Sequence, residues 1–198
     1  FYPLIYEYNE TCDPFDIERT ILKKGKAKSY GFDILLKRES GSFLTYFTYS
    51  YSWVKNYFDN LSFHPFYDRR HNLNFIIIFP FFLKSTLSLH FNLATGTPYT
   101  EALSRYRYIF YKYLLSDWRY YWFEEYGEKN KARYPNYHRL DLSWEKEIKR
   151  LKIRIDIFNL YNQKNFLFYY YDYNYNPPIR KTYYQLPIIP SISIEYAF

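Results

Sequence analysis

Leu186-Pro187-Ile188-Ile189-Pro190-Ser191-Ile192-Ser193-Ile194-Glu195-Tyr196-Ala197-Phe198 decides how the rest of this chain is read. Every second position back from the end favours one face: Phe198, Tyr196, Ile194, Ile192 and Ile188. Between them stand Ala197, Glu195, Ser193 and Ser191. Side chains alternate across a strand, so a period of two marks an extended segment with unlike faces. Here the apolar face runs to the last residue and ends on an aromatic ring.

The same period recurs upstream. Leu151, Ile153, Ile155 and Ile157 oppose Lys152, Arg154 and Asp156. Before them, across a short turn at Lys149-Arg150, His138, Leu140, Leu142, Trp144 and Ile148 oppose Arg139, Asp141, Ser143, Glu145 and Glu147. Charges on every second position of two consecutive strands are costly in a dry core and at home against water. Leu87, Leu89, Phe91 and Leu93 alternate with Ser88, His90, Asn92 and Ala94; Leu73, Phe75, Ile77 and Phe79 oppose Asn72, Asn74 and Ile76. Earlier still, Tyr30, Phe32, Ile34 and Leu36 pass through Glu39-Ser40-Gly41-Ser42, a tight turn, into Phe43, Thr45, Phe47, Tyr49, Tyr51 and Trp53.

The apolar runs reach about ten residues, the length that crosses a bilayer when tilted, and no helical stripe or second sheet is available to cover them. Short turns (39–42, 149–150) alternate with long connections (56–69, 97–136, 162–181), as in barrels with short periplasmic turns and long outer loops. The expected fold class is all-β: an antiparallel transmembrane β-barrel in the outer membrane. Phe32, Ile34, Phe75, Ile77, Leu89, Phe91, Leu142, Ile153, Ile155, Ile192 and Ile194 are expected on the lipid-facing side. Asp33, His90, Arg139, Asp141, Glu145, Arg154, Asp156 and Glu195, with Asn74, are expected to face the lumen. Arg154 is expected to pair with Asp141 or Glu145 across the tight turn. A soluble antiparallel sheet with one solvated face would alternate in the same way.

Composition narrows the alternatives. Aromatics make up 26% of the 198 residues, with 28 Tyr, 19 Phe and 4 Trp against 5 Gly and no Met. Tyr and Trp favour places where one end is apolar and the other wet, including membrane interfaces; an AT-rich coding bias also raises Tyr. No window approaches the roughly 18 apolar residues of a spanning helix. The absence of an initiator Met and of a signal-peptide pattern reads as a processed chain or a piece of something longer. Net charge is +7, but the basic residues are scattered and no nucleic-acid-binding signature accompanies them, so no nucleic-acid partner is expected.

Five segments occur in order: Tyr67-Asp68-Arg69-Arg70-His71-Asn72-Leu73; Ala94-Thr95-Gly96-Thr97-Pro98-Tyr99-Thr100; Tyr134-Pro135-Asn136-Tyr137-His138-Arg139-Leu140-Asp141-Leu142-Ser143; Phe158-Asn159-Leu160-Tyr161-Asn162; and the terminal strand. Together they resemble the C-terminal barrel region of TonB-dependent outer-membrane receptors. The resemblance implies energised import of a scarce ligand, of siderophore-iron, cobalamin or oligosaccharide type, across the outer membrane. It implies outer-membrane lipid as surroundings and TonB as a partner only through a plug domain, which nothing in this sequence matches. The barrel-assembly machinery would recognise the terminal signal Ile192, Ile194, Tyr196 and Phe198.

Ligand contacts are expected in 97–136, where Arg105, Tyr106, Arg107, Tyr108, Trp118, Arg119, Tyr120, Tyr121 and Trp122 gather. Long connections without structure of their own are usually functional or disordered, and Arg with aromatics suits flat or anionic ligands. The alternation from Arg105 onward is also consistent with a strand continuing beyond the membrane. The four histidines lack metal-ligand spacing, and no nucleophile has a matched base. Neither metal, other cofactor nor catalysis is expected; the lone Cys12 carries no motif.

The chain is expected to be a single domain over 1–198, the C-terminal portion of a larger barrel, about seven or eight meander strands left open. Residues 1–8 are too short for the strand that would close it. Pairing of 1–8 with 186–198 would instead indicate a small self-contained barrel with a structural or adhesion role.

Overall fold

The computed structural model describes residues 4–6, 22–58, 61–112, 117–172, 174–175 and 177–197, with side chains described outside 4–6, 22–24, 107–112 and 117–122. Within them the chain is all β. The strands are β1 (Leu4–Tyr6), β2 (Leu22–Lys24), β3 (Lys26–Arg38), β4 (Leu44–Phe58), β5 (Leu61–Phe63), β6 (His71–Phe81), β7 (Ser85–Ala94) and β8 (Pro98–Tyr99). They continue with β9 (Ala102–Lys112), β10 (Asp117–Tyr126), β11 (Ala132–Arg133), β12 (Tyr137–Ile148), β13 (Leu151–Phe158), β14 (Phe166–Asp172), β15 (Ile179–Tyr184) and β16 (Ile189–Tyr196).

Seven of these, β3, β4, β6, β7, β12, β13 and β16, hydrogen-bond in chain order as one antiparallel meander, and β5 pairs with β4 at its side. Directly opposed residues of an antiparallel pair point to the same face. One face can therefore be followed strand to strand: Leu36, Phe47, Phe75, Phe91 and Leu140 form one row. Phe79, Leu87, Trp144, Ile155 and Ile192 form another. All the residues assigned to the apolar side in the sequence fall on this face.

The opposite face carries Thr48, Asn74, Asn92 and Arg139 in one row and Ile78, Ser88, Ser143, Asp156 and Ser191 in another. Asp33, His90, Asp141, Glu145, Arg154 and Glu195 share it. The expected cross-strand pair forms: Arg154 Nη2 lies 2.5 Å from Glu145 Oε2, with Lys152 Nζ at 3.0 Å from the same carboxylate. Arg139 Nη2 pairs with Asp141 at 2.9 Å. Charge is unevenly spread over this face. Asp141, Glu145, Glu147, Asp156 and Glu195 stand with Arg139, Lys152 and Arg154 on β12, β13 and β16, whereas β4 and β6 bring Leu44, Ile76 and Ile78.

Nothing in the described structure covers the apolar face. Ile192 and Ile194 remain 66% and 64% exposed, and apart from prolines the buried apolar side chains among those described are Phe58, Phe63 and Ala94. The accessible surface is 15475 Å², about one and a half times the roughly 10,000 Å² of a compact monomer of this mass. This is one layer, without the second layer that normally encloses a soluble core.

The two ends of the sheet differ. At one end are the short turns: residues 39–43, with Gly41 at φ +86°; the 3-10 turn Phe82–Lys84; and 149–150, with Lys149 at φ 55°. At the other end lie the three long connections. The expectation that 97–136 lacks structure of its own fails there. It folds as a hairpin in which β8 pairs with β11 and β9 with β10, because its own alternation continues. Likewise β14 pairs with β15 over 166–184, past the end of the 162–181 connection, and β4 runs on to Phe58 against β5.

β1 pairs with β2, and among the described residues neither the outer edge of β3 nor that of β16 has a strand partner. No closed barrel forms within them.

Candidate functional site

The long-connection end is interlocked by side chains from the quoted segments. The Asp68 side chain is fully buried, accepts a hydrogen bond from the Val54 N–H at 3.1 Å, and pairs with the Arg133 guanidinium. Arg133 also donates to the carbonyls of Asp68 and Gly96, at 2.9 and 3.0 Å. His64 meets the Val54 carbonyl through Nδ1 at 2.6 Å and the Arg70 guanidinium through Nε2 at 3.2 Å, which assigns its proton to Nδ1. Asn130 donates to the His64 carbonyl at 2.7 Å. The connection after β4 is thereby fastened to the hairpin after β7.

A second fastening centres on Asn159, which is fully buried at φ 55°. Its amide donates to the Gln163 and Leu186 carbonyls and its oxygen accepts from the Gln163 N–H, at 3.0, 3.1 and 2.9 Å. Asn165 then takes the place of a ladder residue: its side chain accepts from the His138 N–H and donates to the His138 carbonyl, at 3.0 and 2.8 Å. This carries β14 alongside the start of β12. Asn159→Ala is expected to cost roughly 1–3 kcal/mol, because it strands these buried backbone groups; urea unfolding of the intact protein measures it.

Between the two fastened hairpins is a cleft of about 420 Å³ lined by aromatic and cationic side chains. Gly96 makes it possible. A Cβ there would sit 1.7 Å from the Tyr134 carbonyl oxygen, so only glycine lets the two backbones approach this closely. Tyr99 and Tyr134 consequently stack at 4.2 Å with an interplanar angle of 7°, and Phe166 stacks on Tyr134 at 4.4 Å. Tyr169 stands edge-on to Tyr99 at 5.6 Å. Burial, then a hydrogen bond with Tyr99, pushes the Tyr169 phenol above its usual range; burial raises Tyr134 as well. Both phenols stay neutral at physiological pH.

Lys164 and Arg180 stand at the cleft, with Arg180 5.5 Å from the Tyr169 ring centre. Among the described residues neither has a carboxylate partner, and no Asp or Glu lines the cleft. Arg133 lines it too, already engaged with Asp68.

The ligand residues expected from sequence lie on β9 and β10. Arg105 pairs with Glu124 at 2.9 Å, and its guanidinium lies against the Tyr171 ring. Tyr106 is exposed and stacks with Phe123 at 5.9 Å. The side chains of Arg107, Tyr108, Trp118, Arg119, Tyr120, Tyr121 and Trp122 lie outside those described, although register sets Trp122 opposite Arg107 and Tyr121 opposite Tyr108. Sequence reasoning missed Tyr99, Tyr134, Phe166, Tyr169 and Arg180 as site residues; Tyr99 and Tyr134 lie in two of the quoted segments, and Phe166, Tyr169 and Arg180 in none. Of the terminal signal, Ile192, Ile194 and Tyr196 share the apolar face, and Phe198 lies outside the described residues. Among the described residues no group of three or more His, Cys, Asp or Glu side chains could hold a metal ion. Comparison of the chain with family models, with curated proteins and with solved structures found no match.

Proposed function

We propose that this chain is the C-terminal barrel portion of a TonB-dependent type of outer-membrane receptor, importing a scarce ligand across that membrane. One observation carries the membrane part: a single-layer sheet whose apolar face is continuous over seven strands and uncovered by any described residue, opposite a more polar face with ion pairs on β12 and β13. Lipid is the partner that suits such a face, and an aqueous lumen suits the other. The resemblance of the five segments supplies the receptor class. Four of them meet at the long-connection end, where Asp68, Gly96, Asn136 and Asn159 take part in its hydrogen bonding.

Among the described residues the outer edge of β3 has no strand partner, which favours a larger barrel over a self-contained one, because lipid cannot satisfy strand-edge N–H and C=O groups. The terminal strand, through Ile192, Ile194, Tyr196 and Phe198, is the segment offered to the barrel-assembly machinery. TonB would act through a plug domain elsewhere in the receptor. The test is fractionation of the protein carrying this sequence. It is expected in the outer membrane, to need detergent for extraction, and to migrate faster unheated than boiled. Detergent-free solubility with heat-independent migration would defeat the reading.

A further inference from the structure

We propose that the cleft between the β8–β11 and β14–β15 ladders binds small molecules that carry a carboxylate on a six-membered ring, aromatic or pyranose. As the ligand class of an importer this rests on the reading above; the cleft itself belongs to the hairpins outside the lipid-crossing sheet. Its volume of about 420 Å³ falls within the range of small-molecule sites. Three features fix the chemistry.

The wall is a preassembled stack, Tyr99 on Tyr134 on Phe166, with Tyr169 edge-on. Such rings are held by packing before any ligand arrives, so a planar or pyranose face meets a surface that needs no ordering. The charge in the cleft is of one sign. Arg133, Lys164 and Arg180 line it, no Asp or Glu does, and Arg133 is spent on Asp68 behind it. Lys164 and Arg180 therefore remain to meet an anion, and a guanidinium matches a carboxylate with two parallel hydrogen bonds. The half-buried Tyr134 and Tyr169 phenols stay uncharged and add donors without opposing the anion. Gln163 and Thr182 complete the polar lining. An aryl acid and a uronic acid share the required chemistry, a carboxylate beside a ring face.

Calorimetric titration of the intact protein in detergent tests this with two pairs of probes: salicylate against salicylamide, and digalacturonate against digalactose. At least one acid is expected to bind saturably, to weaken as salt rises, and to exceed its neutral twin at least about tenfold. Which acid binds identifies the source of the carboxylate. Arg180→Gln and Lys164→Gln, both at exposed positions, are each expected to weaken the binding acid about tenfold. Arg180→Lys, which keeps the charge, should lose less than Arg180→Gln. Equal binding of acids and neutral twins, no saturable binding of either acid, or equal losses for Arg180→Lys and Arg180→Gln would overturn the proposal. Because binding is read apart from fractionation and heat-dependent migration, its failure leaves the membrane reading standing, and the reverse also holds.

Discussion

On the proposed membrane placement, Ile155→Arg is expected to reduce the stability of the protein folded into a bilayer by roughly 2–4 kcal/mol, the cost of a cation near the midplane on a lipid-facing strand position. Ile155 stands in the row Phe79, Leu87, Trp144, Ile155 and Ile192, away from both ends of β13, so an arginine there has a long way to reach water. The neighbouring position supplies the control. Arg154 faces the other way and pairs with Glu145, so Arg154→Gln should cost at most about 1 kcal/mol against a wet face. Urea-dependent refolding into lipid vesicles measures both. Similar losses for the two variants would mean that the two faces meet similar surroundings, and the membrane assignment would fail.

Asp68→Ala is expected to cost about 3 kcal/mol, at the low end for breaking a buried ion pair, because the remaining Arg133 side chain is 27% exposed and partly reached by water. The loss has two parts: a guanidinium deprived of its carboxylate, and a Val54 N–H left without its 3.1 Å acceptor. Asp68→Asn keeps an acceptor for Val54 and should lose less. A double-mutant cycle with Arg133→Ala isolates the pair. Additive losses would show that Asp68 and Arg133 do not act together.

Sequence made the sheet legible because a strand has a fixed period and nearly every strand of the meander keeps unlike faces. The alternation of Ile153 and Ile155 with Arg154 and Asp156 carries its own orientation, and the two-residue turn at Lys149-Arg150 sets the neighbour and the register, hence the Glu145–Arg154 pair. The long connections were read less well. Along β14, Phe166, Leu167, Phe168, Tyr169, Tyr170 and Tyr171 follow one another without a polar break, so no face is marked. The cleft was not legible at all. Asp68 and Arg133 are 65 positions apart, and the four rings that meet are drawn from a chain with 28 tyrosines and 19 phenylalanines. Only tertiary contact distinguishes them from the others. The quoted motifs were recognisable, yet Asp68 and Asn159 hold backbone in place and touch no cleft.

The uneven spread of charge over the polar face has a consequence for anything that moves along it. On β12, β13 and β16 five carboxylates stand against three cations, while the same face of β4 and β6 carries no ionisable acid or base other than Tyr46. Beside a low-dielectric wall such an imbalance focuses the local potential. Along the aqueous passage proposed above, an anion released from the cationic cleft would be repelled by the β12, β13 and β16 part of this face, so its track would follow the uncharged strands, and added salt would widen that track by screening the repulsion.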